Sequence, residues 1–274
     1  MTDDRHFADN RANWDDRVPI HLTGGVYDVD ALVDDPEHLS SIVEGDRRYL
    51  GTVAGKSLVH LQCHIGTDTL SWAKLGASVT GLDFSGPAVA AASDIAERLG
   101  VEARFVAGNV YDAVDLLGET YDIVYTGVGA LCWLPDIELW ADVVAGLTTP
   151  GGVFYIKEGH PFLWALDDER EDGSLVLKHP YFETVEPTTW DFDETYGGEG
   201  RVANSTTHLW NHGIGEIVMA LITRGFRIDL LVEHREMDWM GLPQMVQQGD
   251  VFVLPEDQRD LVPLMYSLKA TKVG

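Results

Sequence analysis

Apolar residues fall along this chain in two alternating patterns. Short apolar runs bounded by turn residues predict strands at Leu58, Val59 and Leu61, at Ser78 to Leu82 ending on Asp83, at Ala103 to Ala107, at Tyr121 to Tyr125 and at Val153 to Lys157. Between them lie stretches with helical spacing. Val89, Ala92, Ala96 and Leu99 form one stripe, opened by Ser85-Gly86-Pro87 and stopped by Gly100. A capping hydroxyl and a first-turn proline suit the unpaired N–H groups of a helix start, and glycine suits its end. Ile137, Trp140, Ala141, Val144 and Leu147 form a second stripe after Asp136, and Pro150-Gly151-Gly152 turns into the next strand. Alternation of strands and helices at this length implies an α/β fold with a doubly wound, mainly parallel sheet.

The pattern differs at two places. Residues 1–56 are polar and acid-rich, with a helix predicted over Pro36 to Leu50, and read as an N-terminal helical cap. Trp14, His21 and Tyr27 are bulky groups in these polar surroundings; they either close over a ligand or anchor the segment. Residues 159–212 are rich in Trp, Tyr, Phe, His and Asp and have no helical period, so they read as a lid or substrate region inserted in a domain spanning 57–274. Regularity returns with Ile214, Ile217, Val218, Leu221 and Ile222, then Gly225, a strand at Phe226 to Glu233 and a last strand at Leu264 to Thr271.

Charge narrows the partners. With 45 acidic against 19 basic residues the formal charge is −26, which repels a phosphate backbone and argues against nucleic acid. The sequence has no long apolar run and no charged-then-apolar leader, and it has only two cysteines, Cys63 and Cys132. A cytoplasmic protein, without membrane contact and working as a monomer or homodimer, is the expectation.

The stretch from Ser57 to Ser85 reads as strand, tight loop, helix, strand, with an acid closing the second strand. In such units a ligand sits beyond the carboxyl ends of the strands, and an acid at the position of Asp83 accepts hydrogen bonds from ribose hydroxyls. A dinucleotide loop needs glycines to let backbone approach a pyrophosphate, but Gln62, Cys63, His64 and Ile65 precede the single glycine, Gly66. S-adenosylmethionine carries no phosphate and tolerates a less open loop. Here the sequence resembles the class I S-adenosylmethionine-dependent methyltransferases. His60 to Gly66 stands at the family's first motif, Asp83 at its ribose acid, Gly108-Asn109-Val110 at its adenine turn and Pro150-Gly151-Gly152 before its fifth strand. The family's first-motif acid is His60 here, and two of its glycines are Gln62 and His64; HLQCHxG followed by DTLSWA looks like a variant found among bacterial small-molecule methyltransferases. The resemblance implies a Rossmann-like, seven-stranded sheet with S-adenosyl-L-methionine as cofactor. It assigns Gln62, Cys63, His64 and Gly66 to the methionine end, Asp83 and Phe84 to the ribose and ring, and Asn109 and Val110 to adenine, with Gly127 from the glycine-rich exit of the fourth strand.

Methyl transfer is a displacement at a carbon already activated by its sulfonium, so the protein positions the acceptor, excludes water and, where needed, removes a proton. Glu158, His160, His208 and His212 qualify by position as a general base or, for the histidines, as orienting groups. His212 precedes a helix start, which disfavours the imidazolium form. Trp133, Trp210 and Tyr27 are candidates for the walls of the acceptor site. Neither HExxH nor paired Cys ligands occur, and Gly-x-Ser-x-Gly is missing, so metal and triad chemistry are not expected. The expected function is methyl transfer to a small-molecule acceptor, oxygen favoured over nitrogen. A dinucleotide oxidoreductase on a similar fold and a cofactor-binding protein without transfer activity are the alternatives.

Overall fold

The computed structural model describes residues 4–274. In chain order the elements are α1 (Asp4–Thr23), α2 (Val29–Asp34), α3 (Ser41–Leu50), β1 (Ser57–Leu61), α4 (Thr67–Lys74), β2 (Ser78–Asp83), α5 (Gly86–Leu99), β3 (Ala103–Ala107), α6 (Ala113–Leu117), β4 (Tyr121–Thr126), α7 (Ile137–Leu147) and β5 (Thr148–Gly159). They continue with α8 (Pro161–Trp164), β6 (Thr188–Asp191), β7 (Thr206–Leu209), α9 (Ile214–Thr223), β8 (Phe226–His234), β9 (Glu236–Met237), β10 (Val246–Gln248), β11 (Val251–Val253) and β12 (Met265–Lys272).

Seven strands form the main sheet in the order β3-β2-β1-β4-β5-β12-β8. The first five are parallel, and β12 inserts antiparallel between β5 and β8. The order reverses at β1, which pairs β2 on one side and β4 on the other. At such a switch point the connections leave in opposite directions, opening a crevice beyond the carboxyl ends of β1 and β4.

The two-residue period of the strands divides the core between the faces. Val59, Leu61, Val124, Phe154 and Ile156 pack against Trp140, Val144 and Leu147 of α7 and Ile217 and Leu221 of α9. Leu58, Ile123, Tyr125 and Tyr155 face the other way, toward Val43 of α3 and Trp72 of α4. That second face carries a polar group in its centre, where the buried Asp46 of α3 accepts hydrogen bonds from Tyr125 and Tyr155 at 2.8 and 2.9 Å.

Local signals fix the helix ends. Ser85 Oγ accepts the Ala88 N–H at 3.2 Å, Asp136 Oδ1 accepts that of Leu139 at 2.9 Å, and Gly100 closes α5 at φ 67°. The stripe that α5 buries is Ala88, Ala91, Ala92, Ile95 and Ala96, with Val89 and Leu99 on its margins. The helix expected from Pro36 begins only at Ser41, where Ser40 caps it. The segment before it is held in a turn by Lys74, whose Nζ donates to the carbonyls of Leu32, Asp35 and His38. Strand β5 starts earlier than expected: Thr148 already pairs with Tyr121, and pairing resumes at Val153 after the Pro150–Gly152 turn.

The inserted region contains the antiparallel pair β6–β7, and α1 is stitched to it. Asn10 both donates to the His208 carbonyl and accepts the His208 N–H, each at 2.8 Å, while Asp16 accepts the N–H groups of Ala203 and Asn204. A small sheet, β10-β11-β9, joins Leu163 and Leu166 in a separate cluster with Met237, Leu242 and Leu254. Among the described residues no helix is long and apolar enough to cross a membrane.

Candidate active site

The crevice is floored by the loop after β1. Gln62 at φ 57° and His64 at φ 49° both lie in the left-handed region, as does Gly66 at φ 76°. Non-glycine residues there cost roughly 1–2 kcal/mol each. The strain is held by specific bonds: the Cys63 N–H donates to the Leu82 carbonyl at 3.0 Å and the His64 N–H to Asp83 Oδ2 at 2.8 Å. Gly66 has no substitute, because a Cβ there would come within 2.8 Å of Ala92 and 2.9 Å of Phe105. The two positions where the resemblance expects glycine thus keep a glycine-like backbone while carrying polar side chains.

Among the described residues, four buried polar atoms on these strand ends have no partner: His60 Nε2, Gln62 Oε1, His64 Nδ1 and Thr126 Oγ1. Buried polar groups are ordinarily paired. Here they cluster at the adjacent ends of β1 and β4, which is what a cradle for a polar ligand requires. The other nitrogens of these side chains are fixed, His60 Nδ1 on Thr69 Oγ1 at 2.9 Å and Gln62 Nε2 on the Ala130 carbonyl at 2.8 Å. Gly127, at the exit of β4, faces them: a Cβ there would lie 3.1 Å from His60 Nε2 and 3.5 Å from Asp68 Oδ2. Burial holds His60 down to about 3, so it is neutral near pH 7.

Asp83 closes β2 beside this cradle. Its oxygens take the N–H groups of His64 and Ser85, and each keeps a lone pair for a ribose hydroxyl. Burial pushes its pKa up to about 6, against the Ser85 and His64 hydrogen bonds. Asn109 Oδ1 accepts the Tyr111 N–H at 3.1 Å, Val110 is buried behind it, and Phe84 is half-buried next to Asp83.

Helix α1 packs on the loop, and Thr195 and Tyr196 pack in turn on His21. Trp14, Arg17 and His21 share one face of α1, as residues three and four apart do. His21 Nδ1 lies 2.8 Å from His64 Nε2, and His21 Nε2 lies 2.7 Å from Thr195 Oγ1. Tyr27 stacks on His21 at 5.2 Å, and its hydroxyl meets that of Tyr196. Trp14 sets its ring edge-on to His64 at 5.0 Å and to Trp133 at 5.4 Å. Trp14, His21 and Tyr27 all pack against His64 of the loop. Cys63 is buried and Cys132 half-buried, and both are free thiols.

Beyond Trp133 lies a cavity of about 290 Å³, lined by aromatic side chains including Trp133, Trp164, Trp190 and Trp210, with Arg17 and Cys132 on its wall. The segment carrying Trp133 is pinned from below. Glu158, at the end of β5, accepts the N–H groups of Gly129, Ala130 and Leu131 at 2.8, 2.7 and 3.1 Å, so its carboxylate serves the backbone. His212 pins the same segment from the side, with Nε2 facing the Leu131 and Leu134 carbonyls at 3.2 and 2.8 Å and Nδ1 2.9 Å from Glu183 Oε2. His160 takes the Phe162 N–H at Nδ1 and meets Glu233 Oε1 at Nε2. His208 lies between Thr189 Oγ1 and Asp9 Oδ2, both at 3.0 Å. All three histidines thus have both ring nitrogens engaged, and none presents a free one to the cavity. Arg17 and Asp68 are the site residues that the sequence reading passed over; the spacing of Arg17 between Trp14 and His21 was the available signal.

The switch-point crevice thus brings together a buried acid, Asp83, and unmet polar groups at the ends of β1 and β4. Residues 59–154 match the model of a family described as a methyltransferase domain. No curated protein sequence matches the chain. Among solved structures, an S-adenosylmethionine-dependent methyltransferase from Mesorhizobium loti is 19% identical with a TM-score of 0.56, covering 85% of this chain and 100% of its own. DhpI in complex with S-adenosylhomocysteine is 14% identical with a TM-score of 0.58 and covers 99% of each chain. The magnesium protoporphyrin IX methyltransferase of Synechocystis, also with S-adenosylhomocysteine bound, is 15% identical with a TM-score of 0.51, covering 94% of this chain and 99% of its own. The likeness to these structures is one of fold. Residues 59–154 thus match a methyltransferase domain, and the chain as a whole shares the fold of S-adenosylmethionine-dependent methyltransferases.

Proposed function

We propose that the protein transfers a methyl group to an oxygen of a small aromatic acceptor held in the 290 Å³ cavity. The observation that carries this reading is the placement of that cavity: it opens on Trp133 and Cys132, the segment that leaves β4 beside the cofactor cradle. When bound, S-adenosylmethionine supplies a methyl group on a positively charged sulfur. Gln62, His64 and Gly66 hold its methionine end, Asp83 and Phe84 the ribose and ring, and Asn109 and Val110 the adenine. Residues 1–56 act as a cap and 159–212 as the lid and acceptor region of a domain spanning 57–274.

The chain's own part is positioning and the exclusion of water. His212, His160 and His208 serve as orienting groups, since each has both ring nitrogens occupied. None of these three is free to take a proton, so the acceptor oxygen is either already anionic near neutral pH, such as a carboxylate or an acidified phenol, or gives its proton to His179, which lines the cavity with Nε2 unpartnered among the described residues. Trp133 and Trp210 form walls that fix the plane of the acceptor, and Tyr27 closes the cofactor side.

Calorimetric titration with S-adenosylhomocysteine and with NADH tests the cofactor half, and tight binding of NADH alone would overturn it. Incubation with isotopically labelled S-adenosylmethionine and a metabolite extract tests the rest. The expected product is an O-methyl compound; labelling of nitrogen only, or of no small molecule, counts against the reading.

A further inference from the structure

Arg17 is a cation without a counter-ion. Its Nε donates to Asn13 Oδ1 at 2.7 Å, but among the described residues its two terminal nitrogens make no hydrogen bond and no carboxylate lies within ion-pair distance. The acids beside it on α1 are committed elsewhere: Asp15 accepts the Ser85 hydroxyl at 2.6 Å, and Asp16 accepts the N–H groups of Ala203 and Asn204. In a chain with 45 acidic residues, a partly buried arginine left unpaired is a departure that asks for a cause. Burial also holds its pKa below the ordinary guanidinium value, so the fold bears a cost for keeping it there.

The surroundings specify what would relieve that cost. The guanidinium lies over the Trp14 ring, 4.8 Å from its centroid, and 5.7 Å from that of Trp133. These cation–π contacts engage the charge over the rings and leave the terminal edge of the fork without a hydrogen-bond partner among the described residues. That edge carries parallel N–H donors matched to the two oxygens of a carboxylate. Arg17 lines the aromatic cavity, and four residues along the same helix face His21 touches His64 of the cofactor loop.

We propose that Arg17 is the carboxylate receptor of the active site, binding a carboxylate at the junction of the cofactor cradle and the aromatic cavity. The carboxylate belongs either to the acceptor, a planar aromatic acid, or to the methionine end of the cofactor. The first source rests on the cavity being the acceptor site, as proposed above; the second does not.

Two pairs of probes separate the sources. S-adenosylhomocysteine and 5′-methylthioadenosine share the nucleoside, and only the first has the amino-acid carboxylate. Indole-3-carboxylate and indole-3-carboxamide, titrated with S-adenosylhomocysteine at saturation, differ in charge at nearly constant shape. Arg17→Gln should lower the affinity for at least one of the carboxylate members tenfold or more, leave its neutral partner within twofold, and be partly rescued by Arg17→Lys. A loss confined to the indole pair assigns the carboxylate to the acceptor, and a loss confined to the nucleoside pair assigns it to the cofactor. If wild type binds neither indole probe, the acceptor source is excluded and the nucleoside pair decides. Unchanged preference for the carboxylate member in both pairs overturns the proposal, whereas failure of wild type to bind S-adenosylhomocysteine at all would sink the methyltransferase reading itself.

Discussion

His21 Nδ1 and His64 Nε2 lie 2.8 Å apart, joining the end of α1 to the loop after β1. The bond needs a lone pair on one of the two nitrogens, so at least one ring is neutral, because two imidazolium ions would present donors to each other. Burial, with the Arg17 charge adding to it, pushes His21 down to about 4, and burial followed by His21 and Arg17 holds His64 well below its ordinary value.

That arrangement has a pH signature. A histidine whose pKa is depressed by folding contributes stability that is fully present above its unfolded value of about 6.5 and is lost as pH falls toward the folded value. For His21 the window is therefore pH 6.5 to 4, and the loss at its lower end is about 3 kcal/mol. Urea unfolding of wild type and His21→Gln should differ in slope across this window, the variant losing less stability on acidification. Equal slopes would mean that His21 takes up its proton in the folded state as freely as in the unfolded one.

Asp83 makes a second, separable prediction. Burial lifts its pKa to about 6, so below that pH it carries a proton. Ribose hydroxyls donate to the carboxylate and favour the charged form. Affinity for S-adenosylhomocysteine is then expected to be constant above pH 7 and to fall as pH drops through 6, with Asp83→Asn weaker by about tenfold at pH 8 and nearly flat from pH 8 to 5. A wild-type affinity independent of pH over that range would remove the ribose contact from Asp83.

How much of this was legible in advance depends on the range of the interaction. The strands and helices flanking β1, β2, β4 and β5 follow from local period and caps, and Ser85, Gly100 and Asp136 stand where they were expected to act. Asp83 and Gly66 were legible for the same reason, as their roles belong to one strand-loop-helix unit. Arg17 was not, because its surroundings are set by Trp133 on a distant segment. The region 159–212 resisted reading since neither of its strands alternates buried with exposed positions: Thr188–Asp191 alternates half-buried and exposed ones, and Thr206–Leu209 buries Thr207 and His208 side by side. They are held by side chains of α1 such as Asn10 and Asp16, whose partners lie nearly two hundred positions away. His160, His208 and His212 qualified by sequence position as bases or orienting groups, but their carboxylate, hydroxyl and carbonyl partners come from other elements and decide what each can do.

Asp46 titrates in the opposite sense to His21. Burial pushes it up to about 7, although Lys157 and the hydroxyls of Tyr125 and Tyr155 act the other way. A carboxyl with a raised folded pKa contributes stability that is fully present below its unfolded value of about 3.9 and lost as pH rises through the folded one. Asp46→Asn keeps an acceptor for one tyrosine and a donor for the other, and removes the ionisation. Between pH 4 and 7 the variant should therefore gain on wild type, and thermal melts across that range check it. A variant that falls behind wild type as pH rises would show that the carboxylate, not the acid, is the form the fold prefers.

His212 distinguishes orientation from proton removal. Nε2 faces two carbonyl oxygens and so must carry a hydrogen, and Nδ1 faces Glu183. The ring holds residues 131–134, and with them Trp133, against the end of the acceptor cavity. His212→Gln retains a donor for one carbonyl but cannot span from the carbonyls to Glu183 in the same way. Turnover with the true acceptor is expected to fall about tenfold to a hundredfold, as when positioning is loosened by a fraction of an ångström. Its pH dependence should keep the wild-type shape, following ionisation of the acceptor, and affinity for S-adenosylhomocysteine should be unchanged because no cofactor contact is lost. If the variant instead loses an ascending limb of the kcat/KM profile near pH 6 to 7 and regains activity as pH is raised, His212 is removing the proton and the pairing with Glu183 must open during turnover.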